Sequence, residues 1–82
     1  MSEAATTPSA RQEHFAYCLQ VLGGVTAASR RLGIDERALR RFANGEREIS
    51  PGLMRDTAEA LRQLAAEAAA AQEQIAGMLN EA

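Results

Sequence analysis

From residue 9 onward, apolar positions recur at helical spacing and are interrupted by short glycine-bearing breaks. Phe15, Cys18 or Leu19, and Leu22 fall at i, i+3/i+4 and i+7, which predicts a first helix with one buried face and Ser9 as its N-cap. Gly23-Gly24 closes it, because glycine enters the left-handed conformation that ends helices. A short second helix runs from about Val25 or Thr26 to Leu32, with Val25, Ala28, Ser29 and Leu32 inward, and stops at Gly33. Ile34 then stands as a single apolar plug. Asp35 is placed to cap a third helix whose buried stripe is Ala38, Leu39 and Phe42. That leaves Glu36, Arg37, Arg40, Arg41 and Asn44 facing outward until Asn44-Gly45 ends the helix.

Ser50-Pro51 restarts a helix with two cues at once, a capping serine and a proline at the first helical position. The pattern then stays helical for roughly 28 residues, a rod of about 42 Å that outgrows a domain of this size. Met54, Thr57, Leu61, Leu64, Ala68, Ala71, Ile75 and Met78 follow one another by threes and fours. Thr57 is the polar member of this heptad-like row, and alanine dominates its middle. Small residues permit close helix approach but bury little area. From Leu61 through Leu64, Ala68, Ala71 and Ile75 to Met78 the row is expected to form a dimer seam. Residues 1–8 show no periodicity and are expected to be a disordered tail. Residues 9–62 form the expected domain and 63–82 its helical extension.

An 82-residue chain has room for one modest core, which is small for an enzyme that must wall off a pocket. The apolar runs are too short to cross a membrane, and a single cysteine, Cys18, excludes an internal disulfide framework. MSEAATTPSA lacks the basic and apolar regions of a signal peptide. A cytoplasmic location is therefore expected. His14 and Cys18, one turn apart, are two groups where a zinc site needs four ligands, and no catalytic acid–base set accompanies them. No enzyme activity, cofactor, metal or small-molecule ligand is expected.

Eighteen alanines favour helix throughout, and every basic residue is arginine. The net charge of −2 and pI of about 5.3 speak against a non-specific coat on nucleic acid. Its distribution matters more than its sum. Residues 30–49 carry six arginines against four acids, or +2, whereas residues 50–82 carry two arginines against five acids, or −3.

The ordered combination is helix, glycine turn, helix, glycine loop, helix. It includes Ser29-Arg30-Arg31-Leu32-Gly33-Ile34-Asp35, then Ala38-Leu39-Arg40-Arg41-Phe42-Ala43-Asn44-Gly45-Glu46, Arg47 and the Ser50-Pro51 start. Over residues 23–62, about half the chain, it resembles the Cro/repressor-type, lambda-repressor-like helix-turn-helix family of bacterial and phage regulators. The resemblance implies an all-α helix-turn-helix bundle with an extended C-terminal helix. It further implies a homodimer that binds double-stranded DNA at an inverted repeat, with half-sites about one turn apart, most simply as a repressor.

Family placement makes Glu36, Arg37 and Arg40 the base-edge readers, arginine being suited to the two acceptors of guanine. Thr26, Arg30, Arg31, Arg41, Asn44 and Arg47 fall to phosphates, which set register without reading sequence. One departure is Val25, where many members of the family carry glutamine. The other reading is a helical protein-interaction module that uses the same fold without DNA, and the acidic pI and Val25 agree with it.

Overall fold

The computed structural model describes residues 8–81, which form four helices and no strand. The chain is all-α. The helices are α1 (Pro8–Val21), α2 (Val25–Leu32), α3 (Glu36–Ala43) and α4 (Pro51–Glu81). Residues 1–7 of the expected tail lie outside the described residues. Pro8 already belongs to α1, so Ser9 lies inside the helix rather than capping it. Proline is favoured there because its fixed φ suits the first turn and its missing N–H has no helical acceptor to lose.

On α1, Phe15, Cys18, Leu19 and Leu22 form the buried stripe, with His14 exposed beside it. The Gly23 N–H bonds to the Gln20 carbonyl at 3.0 Å and the Gly24 N–H to that of Leu19 at 2.8 Å. This crossed pair is the Schellman closure, and it sets Gly23 at φ +109°. Helix α2 buries Ala28 completely and packs Val25 and Leu32 partly against the core. The Ser29 carbonyl accepts from both Gly33 and Ile34, while the Ser29 hydroxyl donates to the Ile34 carbonyl at 2.6 Å. Thus one small polar residue ties both sides of the α2–α3 turn and lets Ile34 lie against the core.

Asp35 caps α3, its Oδ2 accepting the Arg37 N–H at 3.0 Å. Leu39 is fully buried, and Phe42 meets Phe15 edge-on with ring centroids 6.1 Å apart. A second Schellman closure ends α3. Gly45 N–H reaches the Phe42 carbonyl, Glu46 N–H reaches that of Arg41, and Gly45 sits at φ +88°. Helix α1 holds the following loop. Gln12 Nε2 donates to the Ala43 carbonyl at 3.1 Å, and Arg11 Nη1 donates to that of Ile49 at 3.3 Å. Ile49 is buried, an anchor with no helical periodicity to announce it.

A Cβ built on Gly45 would lie 2.8 Å from Gln12 Oε1. Gly45→Ala therefore pays for a left-handed alanine and displaces the Gln12 amide from Ala43. The expected loss is about 1–2 kcal/mol, a fall in Tm of roughly 4–16 °C for a domain of this size. Thermal unfolding followed by circular dichroism measures it, and an unchanged midpoint would show that the loop does not need this geometry.

Ser50 caps α4 through its Oγ, which accepts the Leu53 N–H at 3.1 Å. Leu53, Thr57 and Ala60 are buried, and the Thr57 hydroxyl is satisfied by the Leu53 carbonyl at 2.8 Å. The helix has 31 residues, about 46 Å at the standard rise, in a molecule measuring 51 × 33 × 17 Å. Leu61 and Leu64, expected in a partner seam, are partly buried against this chain's own core, because α1 and α2 lie alongside the first half of α4. Ala68, Ala71, Ile75 and Met78 are exposed. Helices α3 and α4 each pack on α1 and α2 but not on each other, so they occupy opposite corners of the bundle.

Candidate nucleic-acid interface

Four side chains crowd the outward arc of α3. At 3.6 residues per turn, Arg40, Asn44, Arg37 and Arg41 fall in that angular order within about 100°, opposite the stripe made by Ala38, Leu39, Phe42 and Ala43. All four are exposed. The arc is set by burial on the other face, and Leu39 is its pivot because no part of that side chain reaches solvent.

Their electrostatic situations differ. The Arg37 guanidinium has no partner among the described residues, although its backbone N–H serves the Asp35 cap. Arg40 is held by Glu36 one turn earlier, Nη2 to Oε1 at 3.2 Å. This i,i+4 pair ties the Arg40 guanidinium to Glu36 along the helix face. Arg41 lies 3.9 Å from Glu46, a loose exposed pair of little energetic weight. Asn44 is committed to the loop, its Oδ1 accepting the Glu46 N–H and its Nδ2 donating to the Glu46 carboxylate. Arg47 places its guanidinium carbon 5.0 Å from the centroid of Phe42. That cation–π contact fixes its stem on the core and leaves a charge at the edge of the α3 face.

Sequence neighbours Arg30 and Arg31 part company. Thr26 and Arg30, one turn apart, are exposed on α2 and neither side chain has a partner among the described residues. Arg31 points about 100° away from Arg30 and reaches α4, where Nη2 lies 2.6 Å from Glu67 Oε1 and Nη1 3.4 Å from Oε2. Arg31, expected at a phosphate, is thus engaged by a carboxylate, and it lines a shallow hollow with Leu32, Asp56, Glu59 and Ala60. The hydrogen bond and charge of Arg31 hold the Glu67 carboxyl below its ordinary range, and Glu67 holds the guanidinium higher still. A lowered carboxyl pKa stabilises the fold above the ordinary carboxylate range and loses that contribution as pH falls through the depressed value. Solvent screens both groups, so the effect is small.

A measurable contrast follows for binding to DNA. On the DNA-binding reading proposed below, Arg30→Ala should reduce the salt dependence by about one phosphate contact per protomer, roughly 0.9 per half-site in the slope of log K against log salt, whereas Arg31→Ala should leave it unchanged. Titrations at several salt concentrations give both slopes, and equal losses would return Arg31 to the phosphates.

Cys18 is buried, and that burial pushes its thiol pKa up, away from a reactive thiolate. His14 faces Tyr17, ring centroids 5.9 Å apart. No group of three or more His, Cys, Asp or Glu side chains is arranged to hold a metal ion among the described residues. No described helix is long and apolar enough to cross a membrane. Sequence reasoning missed Gln12 and Arg11, which hold the α3–α4 loop from 31 and 38 residues away. Their contacts leave no local signal.

Comparison with protein-family models, with curated proteins and with solved structures finds no match.

Proposed function

We propose that the chain is a sequence-specific double-stranded DNA-binding regulator of the helix-turn-helix kind, a repressor acting as a homodimer on an inverted repeat. The observation that carries this reading is the outward arc of α3, where three arginines and an asparagine project from one capped helix in a chain of net charge −2. A helix of that width enters the major groove, and the arginine fork matches the two acceptors of guanine. Arg37 and Arg40 read base edges, with Glu36 positioning Arg40 or accepting from cytosine. Thr26, Arg30, Arg41 and Arg47 contact the backbone on either side. Asn44 contributes by shaping the loop that presents Arg47. Occupancy of a promoter is enough to repress it.

The first experiment is selection from fragmented genomic DNA at about 150 mM salt, where non-specific attraction is already weak. Enrichment of one inverted repeat is the expected result and gives the half-site spacing directly. If no sequence is enriched, a protein-interaction module becomes the better reading. The apolar end of α4, with Ile75, Met78 and Leu79 all more than half exposed, favours that second reading.

A further inference from the structure

We infer that two copies of this chain pair through antiparallel α4 helices, each seating the apolar tip of its α4 in a groove between α1 and α4 of the other. The proposal rests on the homodimer in the reading above but does not require DNA. It begins from two apolar features. Ile75, Met78 and Leu79 are 58%, 68% and 70% exposed, large side chains on the projecting end of a continuous helix. At the other end of α4, a groove of 120 Å³ is lined by His14, Phe15, Cys18, Met54, Ala58 and Leu61. Tyr17 and Val21 lie exposed on the same helix as the first three.

The spacing of α4 brings these features together. When two such helices cross antiparallel at Ala68, position n faces position 136 − n of the second copy. Ile75 then comes beside Leu61, and Leu79 reaches the level of the groove between Ala58 and α1, where Thr57 is buried against the chain's own core. Between them lies the run 68–71, all alanine, with Ala65 and Ala66 just before it. Small side chains let the backbones approach closely at the crossing, and the bulk at each tip fills the space the groove leaves. No single chain can make this contact, because its tip and its groove lie toward opposite ends of one continuous helix.

Charge selects the direction. Residues 65–81 carry Glu67, Glu73 and Glu81 and no arginine, so a parallel pair would lay two −3 segments side by side. Antiparallel pairing lays each acidic segment against residues 51–64, where Arg55 and Arg62 balance Asp56 and Glu59. Glu67 is the acid nearest the crossing, and each copy already matches it with its own Arg31. The row from Leu61 to Met78 is thereby a seam in register rather than a simple zipper, with Leu61 and Leu64 partly covered by their own chain before the partner arrives.

Mass and geometry test it in protein without DNA, so the result is independent of operator binding. Light scattering at high micromolar concentration should give a dimer. Ala58→Arg blocks the groove at an exposed position, and Ile75→Glu with Leu79→Glu spoils the tip. Each should halve the mass while leaving the helical circular dichroism unchanged. A spin label at Asn80→Cys, with the buried Cys18 left in place, should report a separation near 36 Å, twice twelve residues of rise. A monomeric parent chain, a dimer that survives Ala58→Arg, or labels only roughly 10–20 Å apart, as side-by-side parallel helices require, would each overturn the proposal.

Discussion

Arg37→Ala combined with Arg40→Ala should lower affinity for each half-site of the selected operator by about 30-fold to more than 10⁴-fold, with the fold and dimer mass intact. The magnitude comes from two arginine–guanine contacts at about 1–3 kcal/mol each. The two positions are not equivalent. The Arg37 side chain has no partner among the described residues, so its loss removes the DNA contact alone. Arg40 is paired with Glu36, and its removal also leaves a carboxylate facing the phosphates, which adds repulsion. Arg40→Ala alone should therefore cost more than Arg37→Ala, and Glu36→Gln in the Arg40→Ala background should restore part of the difference. Both exposed side chains lie opposite the buried stripe, so thermal unfolding should move little. If the double variant keeps its full preference for the operator over unrelated DNA in competition titrations, α3 is not the reading helix.

Phe15→Ala is expected to be the most damaging single core substitution. Phe15 is fully buried at the meeting point of α1 and α3, edge-on to Phe42 and in the same cluster as Leu39 and Leu53. Phenylalanine-to-alanine changes in such sites cost about 3–5 kcal/mol, from lost transfer energy and the cavity left behind. For a domain of this size that is a large share of the total, and the midpoint should fall by roughly 12–40 °C. The loss should be read by thermal and urea unfolding together. A loss below about 1 kcal/mol would mean that the core relaxes around the missing ring.

Much of the backbone could be read from residue types. The Asp35 cap, the Gly33 stop and the Ser50-Pro51 start are local signals, and each helix boundary they mark agrees with the structure within a residue or two. The outward arc of α3 was equally legible, because one helix turn determines which of its side chains oppose Leu39. What could not be read depends on distant partners. Arg30 and Arg31 are adjacent and chemically identical, and only the placement of Glu67 on α4 separates them. Ile49 lies in a loop without periodicity, yet Arg11 and the core fix it. The heptad-like row ran unbroken through α4, but its first half belongs to this chain's core and only its second half is bare. A one-dimensional pattern cannot say where along a helix its neighbours stop.

The opposed corners held by α3 and α4 have a kinetic consequence. The stretch from Arg30 to Arg47 carries a positive excess, while residues 50–82 carry −3 on the far side of α1 and α2. Charge is thus distributed unevenly between the two corners despite the small net charge. In the field of a polyanion such a body experiences a torque before it experiences attraction, turning its arginine face inward and its acidic helix outward as it approaches. An acidic isoelectric point then acts as an orientation filter. On the proposed DNA-binding reading, it suppresses lingering in wrong poses while leaving the productive encounter fast at low ionic strength.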